Sequence, residues 1–394
     1  QNVTKVKNIF NAINDYSSES EIRYVGGCVR KILNNEKVDD IDLATNLNPD
    51  EIKQALHKKK IKFYETGIEH GTITAYIENE KYEITSLRSD ISSDGRHAKV
   101  KFTKDWIKDA ERRDFTINCI YADLNGNLFD PFNGKNDLKN GKIVFVGEEE
   151  KRIQEDYLRI LRYLRFFSVY SKSNHDANTL RNIKKNLRGI SQISSERLLD
   201  EFKKIFNSQS LESLCLNNDS FLILKLIFPQ FKHLEIIKKL NPKMRNKLKD
   251  LDYIFLLGVL TIDESDNLDY FLFKFNISKK NQKRIINIKD FFYSRKTEEK
   301  FSFKLLRKYF YIFGKESLID ILNYKLFFSK ADKKLDEYLE YFLDKKPPVF
   351  PIKAEYLMKK FNLLEGKKLG DYLKLVEKHW IDNDFNISEE EIEK

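Results

Sequence analysis

Tyr24-Val25-Gly26-Gly27-Cys28-Val29-Arg30, followed ten residues after Arg30 by Asp40-Ile41-Asp42-Leu43-Ala44, is the stretch that decides the fold of this chain. An apolar strand runs into two glycines and then into Val29 to Leu33, a segment able to begin a helix. Such a turn lets backbone N–H groups approach a phosphate, and Arg30 adds a cation. A Gly-Gly pair by itself also fits a plain tight turn. In the second segment the period of two along a strand places Asp40 and Asp42 on one face and points Ile41 and Leu43 into the core. Adjacent carboxylates repel unless a cation sits between them, and oxygen ligands of this kind suit Mg²⁺ bridging substrate phosphates. Taken alone, the pair also fits a solvated strand edge; beside Gly26-Gly27 and Arg30 the metal site is the better fit.

Working outward, Thr72 to Ile77 and Tyr82 to Leu87 flank the polar stretch Glu78-Asn79-Glu80-Lys81 and predict a β-hairpin. Glu83 lies on its later strand, with Tyr82 and Ile84 facing the other way. It is a candidate third carboxylate for the site, or an exposed hairpin glutamate. After Gly147 the periodicity becomes helical and stays so to the end, with breaks at Pro229, at Pro242 and around Lys346-Pro347-Pro348. The expected fold is therefore α+β: a small mixed-sheet head over residues 1–147, then all-α segments, a neck over 148–210, a body over 211–345 and a tail over 346–394.

Composition bounds the function. The chain has 394 residues, 41% apolar and 13% aromatic, so it builds packed cores and is not disordered. Its 71 Lys and Arg against 61 Asp and Glu leave a formal charge of +10, which favours a polyanionic partner or simple solubility. Cys28, Cys119 and Cys215 are odd in number and widely spaced, which suggests neither a disulfide framework nor a zinc site. The apolar runs Phe221 to Phe228 and Tyr253 to Leu260 are too short to span a bilayer, and no signal-peptide core opens the chain at Gln1. A soluble cytoplasmic protein with no membrane contact and no obligate protein partner is expected.

Gly26-Gly27-Cys28-Val29-Arg30 with Asp40-Ile41-Asp42-Leu43-Ala44-Thr45 resembles the first signature of the class II tRNA nucleotidyltransferase and bacterial poly(A) polymerase family, whose head is similar to DNA polymerase β. Later signatures follow in order. Arg112-Arg113-Asp114-Phe115-Thr116-Ile117-Asn118 resembles the family's element that shapes the ribose and triphosphate pocket. Glu155-Asp156-Tyr157-Leu158-Arg159 resembles the element that recognises the incoming base. Ser194-Ser195-Glu196-Arg197 resembles the neck element that supports that pocket, and a looser match lies near Gly366 to Asp384. The resemblance implies a polymerase β-like head, catalysis at Asp40, Asp42 and Glu83, and Mg²⁺ on Asp40 and Asp42. It further implies nucleotide contacts by Gly26, Gly27, Arg30, Arg112, Arg113, Asp114, Asn118, Asp156, Arg159, Arg162 and Arg165.

Helical periodicity through this region collects Tyr157, Ile160, Leu161, Leu164 and Phe167 on one side and leaves Arg159 and Arg162 opposite, with Asp156 at the flank. Asp156 and Arg159, at i and i+3, then face one cleft, or else form a simple intrahelical ion pair. Cytosine and adenine both present an exocyclic amine beside a ring acceptor, so a carboxylate and a guanidinium together accept either base. Uracil and guanine set a carbonyl against the carboxylate and are rejected.

The implied activity is addition of the 3'-terminal CCA to tRNA lacking all or part of it, from CTP and ATP. Leu87 to His97, polar and with few packing residues, resembles the family's flexible loop. Its length looks complete, whereas enzymes that stop after CC tend to have it shortened. Alternatives are a partial CC- or A-adding enzyme, a poly(A) polymerase, whose sequence leading into the base-reading element differs from Arg152-Ile153-Gln154, and a catalytically silent RNA-binding protein. His175-Asp176 lacks partner histidines at metal-ligand spacing. Lys184-Lys185, Lys279-Lys280 with Lys283-Arg284, and Lys367-Lys368 are phosphate-contact candidates or solvated helix faces.

Overall fold

The computed structural model describes residues 2–92, 99–207, 210–293, 301–329 and 332–393. They divide into two compact units, residues 1–228 and 229–394.

The first unit is built on a seven-stranded mixed sheet. Helix α1 (Asn2–Asn14) leads into β1 (Ile22–Val25), then α2 (Gly27–Leu33), β2 (Asp42–Thr45), α3 (Pro49–Lys58), β3 (Lys62–Gly67), β4 (Thr72–Ile77) and β5 (Glu80–Ser86). A separate two-stranded ribbon follows, β6 (Arg88–Ser92) with β7 (Lys99–Phe102), then α4 (Trp106–Glu111), β8 (Tyr121–Ala122) and β9 (Leu128–Phe129). The sheet order is β3-β4-β5-β2-β1-β8-β9, with β2 and β5 parallel and the other neighbours antiparallel.

Local chemistry explains the pieces. Glu78 and Asn79 both take positive φ, 48° and 67°, so a two-residue turn closes the β4–β5 hairpin and β5 starts at Glu80, two residues before the expected start. Helix α3 starts on a capping box between Asn48 and Glu51 with Pro49 in the first turn. Its Ile52 and Leu56 and the Ile9 and Ile13 of α1 pack with Leu43, Ile73 and Ile84, all fully buried. One sheet face is thus covered by two helices, and the strand period of two turns Asp42 and Glu83 to the other face.

Two expectations are corrected here. Regular β2 begins at Asp42, so Asp40 sits in the segment leading into the strand and not within it. The stretch from Leu87 is not loose at its start. Leu87 is fully buried and Arg88–Ser92 pairs with β7, because the backbone N–H of Thr103 donates to the Leu87 carbonyl and ties the ribbon to the head. Residues 93–98 lie outside the described residues.

Helices α5 (Gly134–Asn140), α6 (Glu149–Glu155), α7 (Leu158–Tyr170), α8 (Ala177–Asn186), α9 (Ser195–Asn207), α10 (Leu211–Leu216) and α11 (Asn218–Ile227) complete this unit. The switch to helix after Gly147 is a change of secondary structure without a break in packing. The ring of Phe115 lies 4.8 Å from Phe145 and 5.4 Å from Phe166, so the head core runs directly into α7.

The second unit is helical: α12 (Pro242–Lys247), α13 (Tyr253–Thr261), α14 (Asn267–Lys274), α15 (Lys279–Tyr293), α16 (Phe303–Phe328), α17 (Lys333–Asp344), α18 (Ala354–Phe361), α19 (Lys367–Asp382) and α20 (Glu389–Glu393). Helix α13 is buried from Phe255 to Thr261, which accounts for its uniformly apolar sequence. Gly314, at φ 81° and ψ 173°, breaks α16, a conformation open essentially to glycine alone. Among the described residues no helix is long and apolar enough to cross a membrane.

Candidate active site

On the sheet face opposite α1 and α3, Val25, Ala44 and Tyr121 pack with Trp106 and Ala110 of α4, and a cleft of about 440 Å³ opens beside them at Asp42. Gly26, at φ 68°, ends β1 in a conformation that favours glycine and starts α2, which carries Arg30 into the cleft wall. Asp42 sits at the start of β2, directly opposite Glu83 in the parallel pairing of β2 with β5. Its pKa is raised, first by its desolvation in the cleft and then by Glu83 and Asp40, against the lowering pull of Arg113 and Arg30. Mutually repelling carboxylates at the mouth of an arginine-rich cleft fit a divalent cation. Among the described residues no group of three or more His, Cys, Asp or Glu side chains is disposed as a complete metal cage.

All of the expected nucleotide-contact residues line this cleft: Gly26, Gly27, Arg30, Arg112, Arg113, Asp114, Asn118, Asp156, Arg159, Arg162 and Arg165. Asp42 and Phe166 complete the lining, whereas Asp40 and Glu83 stand outside it. Asp114, only 8% exposed, receives hydrogen bonds from Arg162 Nε at 2.7 Å and Asn118 Nδ2 at 2.8 Å, and the Asn118 side-chain Oδ1 accepts from Arg30. Burial opposes the charge on Asp114, but Arg162 and the Asn118 amide outweigh it and hold the pKa at about 2.

Asp109 escaped the sequence reading. It is 1% exposed on α4 and grips both neighbouring arginines, Arg112 at 2.7 Å and Arg113 at 3.0 Å, while also accepting from the Tyr121 hydroxyl at 2.7 Å and the Arg88 backbone N–H at 3.3 Å. Burial alone would raise its pKa, yet Arg113 and Arg112 reverse the shift and hold it well below the usual carboxylate range. The legible signal was an acid three and four residues before two arginines on a helix. Removing one member of a buried ionic cluster strands the others, so Asp109→Ala is expected to cost about 3–5 kcal/mol of stability. Urea unfolding of the two proteins measures it; a loss under 1 kcal/mol would mean that the arginines find water instead.

Asp156 and Arg159 both line the cleft, but not from one continuous helix. The helix is interrupted: α6 ends at Glu155, Asp156 is its extended C-cap and α7 starts at Leu158. The Tyr157 ring occupies the break, against Gly189, where a Cβ would fall 2.2 Å from that ring. Asp156 therefore does not pair with Arg159. Its carboxylate accepts from Arg197 at 2.8 Å and from the Leu158 N–H at 3.2 Å, while Arg159 pairs with Glu155 at 2.7 Å and donates to the Arg152 carbonyl at 2.7 Å. Arg165 is held at 2.5 Å by Glu201, which is 1% exposed, and its guanidinium lies 4.2 Å from the Phe166 ring. No sequence signal linked Glu201 to Arg165, 36 residues away.

His175 is engaged on both ring nitrogens, by Tyr163 at 3.0 Å and Ser220 at 2.7 Å, and stacks on Phe167. Several lysine-cluster members are already paired: Lys184 with Asp219, Lys185 with Glu150, and Arg284 with Asp320 and Asp252.

A mixed sheet with paired carboxylates, beside an arginine cleft that continues into helices α6 and α7, is the arrangement implied by the resemblance to polymerase β-like heads. The family described as poly A polymerase head domain matches residues 22–144, and that described as a probable RNA and SrmB-binding site of polymerase A matches 176–234. The CCA-adding enzyme of Staphylococcus saprophyticus is 32% identical over 303 residues, 76% of this chain and 72% of that one. The chain belongs to the tRNA nucleotidyltransferase and poly(A) polymerase family, whose members depend on a divalent metal. The human mitochondrial CCA tRNA nucleotidyltransferase 1 is 51% identical over 188 residues, 47% of this chain and 43% of that enzyme, so the match spans less than half of that relative. The fold is shared with the Bacillus stearothermophilus CCA-adding enzyme in complex with CTP, at a TM-score of 0.71 and 21% identity over 97% of this chain and 93% of that one.

Proposed function

We propose that the protein adds the 3'-terminal CCA to tRNA from CTP and ATP, without a nucleic-acid template, releasing pyrophosphate. The observation that carries this is one cleft with Asp42 at one part of its wall and Asp156 and Arg159 at another, so a single bound nucleotide meets both. The relatives named as CCA-adding enzymes support it, as does the full length of the segment from Leu87 to His97 for complete CCA addition.

In this mechanism Asp40 and Asp42 would hold a magnesium ion, with Glu83 adding negative charge beside Asp42 from the neighbouring strand. The ion would supply charge neutralisation at the α-phosphate and activation of the attacking 3' hydroxyl. Gly27 lets the backbone approach the phosphates, and Arg30 and Arg113 neutralise them. Arg112, Asp114, Asn118 and Arg162 shape the ribose side of the pocket. Asp156 accepts from the exocyclic amine of cytosine or adenine, held in place by Arg197, while Arg159 donates to the ring acceptor. Arg165, on its Glu201 support, closes the cleft beside Phe166. Catalysis rests on positioning and charge stabilisation.

The head would carry the chemistry, the neck the base reading, and the basic body and tail the RNA. The three free, buried cysteines suit a reducing compartment such as the cytoplasm. The deciding experiment offers each nucleotide singly to purified protein with tRNAs ending before CCA, after C and after CC, and resolves products to one nucleotide. Addition of C, C and then A and nothing more supports the proposal; a run of adenylates or a stop after CC overturns it. Binding of tRNA should also weaken with salt, by roughly 40-fold between 50 and 200 mM if about three phosphates are neutralised. A flat salt dependence would leave the basic surplus to solubility alone.

A further inference from the structure

The sheet face that carries Asp42 does not stop at the cleft. Lateral register places Asp42 opposite Glu83, Glu83 opposite Thr74, and Thr74 opposite Tyr64, so one row on the face opposite α1 and α3 runs from the cleft to the edge strand β3, with Thr74 itself buried between its exposed neighbours Glu83 and Tyr64. The next row, Lys81, Tyr76 and Lys62, lies alongside on the same face. The Tyr64 and Tyr76 rings meet edge to face at 4.9 Å, and Tyr64 remains 44% exposed. The Lys62 ammonium lies 5.2 Å from the Tyr64 ring centre, and that of Lys81 lies 5.5 Å from the Tyr76 ring centre.

Neither tyrosine belongs to a core: Tyr64 is exposed and Tyr76 is half-buried beside it. Charge on this face changes along the row. Glu83 and Asp42 make its cleft end acidic, whereas toward the edge strand Glu65, Glu78 and Glu80 are drawn to Lys53 and Lys5 on the helices behind the sheet, and no ion pair of Lys62 or Lys81 occurs among the described residues. Lys62 also borders a surface depression that collects His57, Lys58 and Lys60, which extends the positive potential. Exposed aromatic rings interleaved with unneutralised cations form the surface that single-stranded nucleic acid recognises, since every base has a face to stack and every phosphate a charge to satisfy.

We infer that Tyr64 and Tyr76, with Lys62 and Lys81, form a stacking platform for the single-stranded 3' segment of the RNA whose terminal hydroxyl is extended at Asp42. The inference rests on the proposed nucleotide addition for the position of that hydroxyl, and on the strand register for the path. Three inter-strand steps separate Asp42 from Tyr64, about 14 Å at about 4.8 Å per step. That is the length of about four stacked nucleotides at about 3.4 Å each. The edge strand thereby gains a partner of opposite charge, and its free backbone edge is guarded by lysine against pairing with other strands.

The test compares wild-type protein with Tyr64→Ala/Tyr76→Ala, Tyr64→Phe/Tyr76→Phe and Lys62→Gln/Lys81→Gln, after circular dichroism and thermal unfolding have matched their folds. Fluorescence anisotropy measures Kd for two labelled RNAs, tRNA ending in CC and the same tRNA trimmed to the end of its acceptor duplex. The alanine pair is expected to bind the CC-ended tRNA about tenfold more weakly and the trimmed tRNA unchanged, because only the overhang stacks. The phenylalanine pair should retain wild-type affinity, and the glutamine pair should lose several-fold with a shallower salt dependence. Equal Kd of wild type and the alanine pair for the CC-ended tRNA overturns the platform. So does an equal loss on both RNAs, which would place the tyrosines against the duplex or in the fold itself. Binding is read without catalysis, so a protein that fails to add nucleotides contradicts the proposed activity and leaves this comparison intact.

Discussion

Asp42→Ala protein is expected to lose addition of both C and A by at least about 10³-fold while remaining folded. A metal acting as a Lewis acid on a phosphoryl group contributes several kcal/mol to the barrier, and each 1.36 kcal/mol is tenfold in rate, so loss of a ligand carboxylate reaches this size. Folding should be spared for a physical reason. Asp42 faces an open cleft with its carboxyl destabilised by Glu83 and Asp40, so truncation removes a repulsion and strands no buried partner. Asp40→Ala is expected to act in the same direction on both nucleotides, although Asp40 precedes the regular strand. Single-turnover incorporation of CMP and AMP with magnesium present measures the effect. An Asp42→Ala protein within tenfold of wild type would remove Asp42 from the metal site. The opposite contrast is Asp109, whose loss should damage the fold first and the chemistry through it.

The second large effect is on nucleotide choice. In Asp156→Ala protein, discrimination against UTP and GTP is expected to fall by about 10²-fold or more, with slower incorporation of CTP and ATP. Sites built around a hydrogen bond reject the wrong partner by large factors because a buried acceptor is left facing another acceptor. Removing the carboxylate removes both the favourable bond to the amine and the clash with the carbonyl. A double charge swap of Asp156 with Arg159 does not separate base reading from a structural pair, since Asp156 is paired with Arg197 and Arg159 with Glu155. The informative companion is Arg197→Ala. It leaves the carboxylate present but unsupported, so it should slow CTP and ATP incorporation while preserving selectivity better than Asp156→Ala does. Incorporation of all four nucleotides on tRNA ending before CCA and on tRNA ending in CC gives both answers. Unchanged selectivity in Asp156→Ala protein would end the assignment of base reading to this side chain, even in a working CCA-adding enzyme.

The two effects draw on different kinds of information in the chain. The facing of Asp42 away from Leu43 follows from the two-residue period of a strand, and the grip of Asp109 on Arg112 and Arg113 follows from helix spacing. Both relations span at most four residues, within which backbone geometry alone fixes direction. The break at Asp156 was not legible in that way. The run Tyr157, Ile160, Leu161, Leu164 and Phe167 has helical periodicity, and nothing local in it marks a stop. What stops the helix is the Tyr157 ring seated on Gly189, a contact across the neck. The ribbon after Leu87 was hidden for a similar reason, since a strand with polar side chains shows no apolar alternation and is held by backbone pairing to β7.

The sequence by itself determined the mixed head, the helical remainder, the facing of Asp42 and the nucleotide-contact residues gathered in the cleft, though not the places of Asp40, Glu83 and Phe166, because motif residues carry local geometry and side-chain chemistry with them. Only the tertiary structure decided which charges neutralise which: Asp114 with Arg162 across 48 residues, Asp156 with Arg197 across 41, and Arg165 with Glu201 across 36. Those choices depend on helix packing around the Phe115, Phe145 and Phe166 rings, which sets the partners' separations to a fraction of an ångström. A hydrogen bond is won or lost over that distance, and no periodicity along the chain encodes it.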